Sequence, residues 1–197
     1  MATVSKTAWR EQLLAARTRV AADVRAAEAC MLRTQMTTIA SGASTICAYV
    51  PVGAEPGSIE MLDALRDRAA RVLLPVVRST PNGIASPLQW GEYTPGELSR
   101  GRWGLLEPPG PWLPESVLAE AGLVFVPALA VDRSGIRLGR GGGFYDRSLT
   151  YRDPQAQLVA VVRDAELVDE LPSEPHDIRM THALTPERGL LALPCRE

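Results

Sequence analysis

The run Leu123–Val131, LVFVPALAV, is apolar at every position. A half-exposed strand would alternate and a surface helix would repeat every three or four residues, so a short run with neither period reads as a strand covered on both faces. Similar runs occur at Ser44–Val50 (STICAYV, ended by Pro51), Arg71–Val77 (RVLLPVV), Gln157–Arg163 (QLVAVVR) and, shorter, Met180–Leu184. Helical patterns lie between them at Ser58–Ala70, with Ser58 as N-cap, and at Pro114–Ala121. Residues 6–33 read as one long helix whose stripe is Trp9, Leu13, Ala16, Val20, Val24, Ala27 and Met31. The segment Arg78–Pro114 is rich in Pro, Gly and Trp, with short strands expected near Ala85–Trp90 and Leu105–Glu107. Apolar strands alternating with helices predict an α/β fold: a single domain over 1–197, a mostly parallel sheet with helices on both faces, a Rossmann-like three-layer sandwich. Ligands of such sheets bind beyond the carboxyl ends of the strands.

Three residues after the first run comes GIRLGRGGGFYDRSL, Gly135 to Leu149. Gly139, Gly141, Gly142 and Gly143 fall within five residues, although glycine loses more backbone freedom on folding than any other residue. Bare backbone N–H groups can converge on one anion, and a helix beginning near Gly142–Asp146 would add its dipole. Arg137 and Arg140 supply forked cations suited to phosphate. Asp146 suits Mg²⁺ directly or through water. The loop therefore reads as a polyphosphate cradle; the alternative is a tight surface turn with solvated arginines. A Walker A loop is excluded, because the only lysine is Lys6. A dinucleotide fingerprint would start at Gly139, but its sixth position is Phe144; Asp164, after the next strand, imitates only its ribose-binding acid.

With a net charge of -2, the chain lacks the basic excess of a nucleic-acid or anionic-membrane binder. It has no run of about 18 apolar residues and no apolar signal core, so a cytoplasmic location is expected. Cys30, Cys47 and Cys195 show no metal or disulfide spacing. The chain holds 20 arginines and one lysine, which draws attention to Lys6, a compact ammonium able to meet phosphate as a point charge. Lys6, Arg10 and Arg17 form a row beside the apolar stripe, at the rim of whatever the stripe packs against. Taken singly, Glu55 reads equally as a surface acid and Asp177 as a local partner of Arg179. His176 reads as structural and His182 as core or rim. Trp90, Trp103 and Trp112 read as packing beneath a long loop.

FVPALAVDRSGIRLGRGGGFYDRSL resembles the signature of the 5-formyltetrahydrofolate cyclo-ligases, also called 5,10-methenyltetrahydrofolate synthetases. Weaker elements follow in the family's order: Lys6 and Arg10 as K-x-x-x-R, YVPVGAE from Tyr49 to Glu55, GLLEP from Gly104 to Pro108, and PSEPHD ending at His176 and Asp177. The resemblance implies an enzyme that cyclises 5-formyltetrahydrofolate to 5,10-methenyltetrahydrofolate with ATP and Mg²⁺, releasing ADP and phosphate. It implies that Arg137, Leu138, Gly139, Arg140, Gly141, Gly142, Gly143, Phe144 and Tyr145 wrap the ATP phosphates, with Lys6 and Arg10 closing from the first helix. Within that run, Arg140 to Phe144 also face the folate, alongside Val50 and Glu55, whose carboxylate would accept from pterin N–H groups. Arg140 is the expected catalytic residue, and Asp146 and Asp177 the expected Mg²⁺ ligands. Phe144 stands where many members have Tyr, and Gly142 where some have Lys. The implied partners are the two small-molecule substrates only, with no nucleic acid or membrane, and the implied state is a monomer. Two other functions fit the loop alone: a nucleotide or folate sensor without catalysis, and a sugar-phosphate isomerase or transferase.

Overall fold

The computed structural model describes residues 4–79 and 85–194; Cys195 falls outside them. The helices are α1 (Lys6–Thr18), α2 (Ala22–Ile39), α3 (Ile59–Arg66) and α4 (Phe144–Ser148). The strands are β1 (Thr45–Cys47), β2 (Arg71–Val76), β3 (Gln89–Glu92), β4 (Ser99–Arg100), β5 (Leu106–Glu107), β6 (Leu123–Pro127), β7 (Ala130–Asp132), β8 (Arg137–Leu138), β9 (Gln157–Val161), β10 (Leu167–Val168), β11 (His182–Thr185) and β12 (Gly189–Ala192). A seven-stranded sheet runs β12-β11-β9-β6-β1-β2-β3. Its interior is parallel, and β12 and β3 are antiparallel edges. A three-stranded sheet, β10-β7-β8, and the pair β4-β5 complete the set.

The apolar runs serve both faces, as continuous hydrophobicity demands. Ile46, Val72, Leu74, Phe125, Val159 and Val161 join Leu32 and Met36 of α2 and Met61, Leu62 and Leu65 of α3 in one core. Their sequence neighbours Cys47, Leu73, Val124, Val126, Leu158 and Ala160 enter a second core with Val117, Leu118, Trp90 and Leu149. Each fully buried Val, Leu, Ile or Phe contributes roughly 1.5–3 kcal/mol, so both layers are substantial. Among the described residues the second layer contains no long helix: a 3-10 segment, Glu115–Glu120, and the α4–Tyr151 turn cover that face. Among the described residues no helix is long and apolar enough to cross a membrane.

Three local expectations change. Residues 6–33 are two helices, broken where Ala21 turns extended. No Pro or Gly marks the break, because packing sets it: α1 lies on the small sheet, where Leu13 meets Leu129, Ile136 and Leu138, while α2 lies on the large one. The proposed stripe is accordingly not continuous, since Ala16, Val24, Ala27 and Met31 are exposed and Leu32 and Met36 are buried instead. The run 123–131 is also two strands in different sheets, β6 and β7, because the chain leaves the large sheet after Pro127. Ser58 does occupy the N-cap position of α3, but its side chain makes no capping bond there.

Candidate active site

From β1 the chain proceeds to β2 and β3 on one side of the large sheet and later to β6, β9 and β11 on the other. The order therefore reverses between β1 and β6, and the crevice beyond their carboxyl ends is where a ligand fits. A cavity of about 390 Å³ lies there. Tyr49, Val50, Val52 and Glu55 line it from the loop after β1, Pro75 and Val77 from the end of β2, and Pro127, Ala128 and Leu129 from the end of β6.

The glycine loop does not follow β6 directly. The β7–β8 hairpin intervenes, and its turn is built on Asp132, whose carboxylate accepts from Ser134 N and Oγ, Ile136 N and Leu171 N at 2.8–3.0 Å. The hairpin delivers Arg137 and Leu138, and the loop then bends through Gly141 at φ +99° and Gly143 at φ +67°, a left-handed backbone that favours glycine. The protein's own arginines use much of the space the missing side chains leave. Arg137 lies over Gly139 and Arg147 over Gly143, each where a Cβ would stand, and Arg10 packs against Gly141 at van der Waals distance. α4 is only five residues long, so its dipole adds less than expected, and the anion-binding capacity rests on loop amides and cations.

Every candidate lines this one cavity: Lys6, Arg10, Val50, Glu55, the whole run Arg137 to Asp146, and Asp177. Their charges are already partnered. Lys6 Nζ lies 2.9 Å from Asp177 Oδ2 and 3.3 Å from Glu174 Oε2. Burial works against the Lys6 charge, but the bonds to Asp177 and Glu174 outweigh it and the pKa is raised. Arg10 Nε donates to the Gly139 carbonyl at 3.0 Å. Arg137 Nη2 meets Asp146 Oδ1 at 2.7 Å. Arg140 Nε meets Glu55 Oε1 at 2.8 Å, while Glu55 Oε2 accepts from Val52 N at 3.0 Å. Two buried polar atoms in the same wall have no partner, Arg137 Nε and Tyr145 Oη. Burial, then the charge of Glu55, pushes the Tyr145 hydroxyl far above its ordinary pKa, so it stays a neutral donor.

For a metal, Glu174, His176 and Asp177 bring their ligand atoms within 4.8 Å of one another, and Asp146 is not among them. The carboxylates are hard oxygen donors of the kind Mg²⁺ takes one or two at a time, with water and phosphate oxygens completing its shell. Asp177 belongs to that group, whereas Asp146, the other expected ligand, stands apart from it and is paired with Arg137.

Several residues stand elsewhere than expected. Arg17 is not at a rim: it is 2% exposed and pairs with Glu166. Asp164 ties down the β11–β12 turn through Thr185 Oγ1, Glu187 N and Arg188 N, and plays no part in the cavity. Asp177 is held by the Glu174 N–H rather than by Arg179, which bonds Ser134. His176 is exposed, with Nε2 3.3 Å from Glu174. Trp90 is core, whereas Trp103 and Trp112 are exposed, Trp103 meeting the Phe144 ring edge-on at 6.2 Å. Tyr49, Glu174 and the Leu105–Leu106 segment line the cavity without having been named as site residues, although each lies within one of the weaker family elements, YVPVGAE, PSEPHD and GLLEP.

Residues 2–186 match the model of the 5-formyltetrahydrofolate cyclo-ligase family. A 5-formyltetrahydrofolate cyclo-ligase of Mycolicibacterium smegmatis is 56% identical over 189 residues, covering 96% of this chain and 97% of its own. One from Escherichia coli K12 is 30% identical over 147 residues, covering 74% and 80%. Among solved structures, 5,10-methenyltetrahydrofolate synthetase of Aquifex aeolicus superposes with a TM-score of 0.77 at 21% identity, over 98% of this chain and 94% of that one.

Proposed function

The chain belongs to the 5-formyltetrahydrofolate cyclo-ligase family, and from that premise we propose that it converts 5-formyltetrahydrofolate and ATP into 5,10-methenyltetrahydrofolate, ADP and phosphate. It does so as one cytoplasmic domain over residues 1–197. The observation that carries the reading is the shared chamber: the glycine loop and the Val50–Glu55 segment border the same space and meet through Arg140 and Glu55.

The substrate's formyl oxygen is a poor leaving group because amide resonance holds it. Transfer of the γ-phosphoryl group to that oxygen breaks the bridging P–O bond and releases ADP. The neighbouring folate nitrogen then attacks the formyl carbon, the C–O bond breaks, phosphate leaves, and the nitrogen's proton passes to phosphate or water. Such a sequence requires positioning and charge neutralisation and no protein nucleophile. In this reading Lys6, Arg10 and the run from Arg137 to Tyr145 hold the ATP phosphates. Val50 and Glu55 hold the pterin, with Gly141, Gly142, Gly143 and Phe144 between the two substrates. Arg140 turns from Glu55 to the transferring phosphoryl group, and pterin N–H donors take its place on Glu55. Lys6 likewise exchanges Asp177 for phosphate oxygen. Asp146 and Asp177 would hold Mg²⁺, which when bound neutralises charge on the phosphates.

The test is direct. Protein incubated with 5-formyltetrahydrofolate, ATP and Mg²⁺ should develop the methenyl absorbance, and omission of ATP should abolish it. Folded protein that binds ATP without producing that absorbance would instead favour a non-catalytic sensor.

A further inference from the structure

α1 carries Lys6 and Arg10 to the cavity, where both are bonded to its walls, and its two buried residues, Leu13 and Arg17, follow on the same face. Lys6, Arg10, Leu13 and Arg17 have the i, i+4, i+7, i+11 spacing of one helical face. Whatever fixes Arg17 therefore helps set the rotation and height of the two cations up to three turns away, independently of the pairs they make at the cavity itself. The fixing group is Glu166, in the 3-10 turn after β9. Arg17 Nε reaches Glu166 Oε1 at 2.7 Å and Nη2 reaches Oε2 at 2.8 Å, a bidentate pair, while Nη2 also donates to the Ala128 carbonyl in the cavity wall at 2.6 Å.

The same carboxylate has a second arm. Glu166 Oε2 accepts the Arg163 N–H at 2.8 Å. The Arg163 side chain donates from Nη1 to the Ala54 carbonyl at 2.9 Å and from Nε to Glu28 Oε2 of α2 at 2.8 Å. Ala54 adjoins Glu55, so this arm holds the other wall of the cavity. Stability alone does not account for the arrangement. Arg17 Nη1 is buried without a partner, and a buried ion pair is commonly matched or bettered by apolar residues of similar volume.

We propose that Arg17, Glu166 and Arg163 are positioning residues that set the two substrate walls against each other, Arg17 acting on the nucleotide side through α1 and Arg163 on the folate side through Ala54. This rests on the cyclo-ligase reading above. The double variant Arg17→Met/Glu166→Gln keeps the volume and an acceptor for Arg163 N–H while releasing α1. In steady-state assays of the full chain, its KM for ATP should rise roughly 10- to 100-fold, the scale of loss from slight misplacement, with KM for 5-formyltetrahydrofolate nearly unchanged. Arg163→Met should do the reverse, raising KM for the folate by roughly 10-fold. A purely structural network would lower the melting temperature of each variant and leave both KM values of the folded enzyme alone; that result, or equal rises in both KM values in both variants, would overturn the proposal. Should the wild-type chain show no turnover at all, the cyclo-ligase reading fails on its own, and titrating ATP and 5-formyltetrahydrofolate into the same variants decides the network by the same split. Where the double variant does not fold, Glu28→Gln tests the folate arm from its half-buried end, with the same direction and a smaller rise.

Discussion

Arg140–Glu55 at the cavity mouth and Arg17–Glu166 behind its wall are the same chemical pair at nearly the same distance, 2.8 and 2.7 Å. They differ in exposure: the Arg140 side chain is 50% accessible, whereas Arg17 and Glu166 are at 3% and 6%. The Glu55 side chain is only 11% accessible, but water reaches the Arg140 guanidinium, so the pair's net contribution is small and Arg140 can change partner at low cost. In the second pair each ion has lost its hydration, and separating them leaves a buried charge with nothing to offset it. Distance alone thus says little about what an ion pair is for. In the proposed function the half-exposed Arg140 is the partner free to turn to substrate, whereas the buried pair is placed to stay.

The sharpest way to break this contrast is Glu166→Ala. Removing one partner of a buried pair costs about 3–5 kcal/mol, so denaturant unfolding should show a loss of that order. A loss below about 1 kcal/mol, the range of exposed pairs, would erase the distinction. Arg140→Ala probes the other side. Its turnover should fall roughly 10²- to 10³-fold, the scale for losing one donor to developing charge, while stability changes by less than about 1 kcal/mol. Near-normal turnover would remove Arg140 from the role given to it. Glu55→Gln sharpens the exchange argument: the amide retains one acceptor and loses the ion pair, so KM for the folate should rise roughly tenfold, as expected for one hydrogen bond to a charged group. An unchanged KM would mean that pterin donors do not take Arg140's place.

Most of the mouth was legible in the sequence, and the wall behind it was not. The glycine cluster and the lone Lys6 stand out because their local patterns are unusual, and local patterns are what a sequence displays; Glu55 was picked out only by the family resemblance. The strands were legible because apolar runs as dense as QLVAVVR have few other uses. Arg17 was misread as a rim residue because a helical row of Lys6, Arg10 and Arg17 gives no sign that the last member turns inward; its partner lies 149 positions away. The break between α1 and α2 was hidden for a related reason, since two different surfaces, rather than a Gly or Pro, determine it. The division of LVFVPALAV between two sheets is equally tertiary: both halves are fully apolar, and only the site's hairpin requires the chain to leave after Pro127. Asp132 looked like part of a motif, but its four backbone and side-chain donors make it the keystone of the turn that delivers Arg137.

The smallest effect separates the mouth pairs from one another. Lys6 has a raised pKa: burial opposes its charge, but Asp177 and Glu174 outweigh it, above an ordinary value of 10.5. A lysine shifted in that sense contributes its stabilisation fully below 10.5 and loses it only as pH rises through the higher folded value. ATP affinity should therefore be flat between about pH 7 and 9 as far as Lys6 is concerned, and Lys6→Met should weaken binding equally at both ends of that range. A titration of wild-type affinity near pH 8 that vanishes in Lys6→Met would mean that the ammonium is deprotonating in the working range. Desolvation would then have overcome the two carboxylates, and Lys6 could not serve as a standing charge awaiting phosphate.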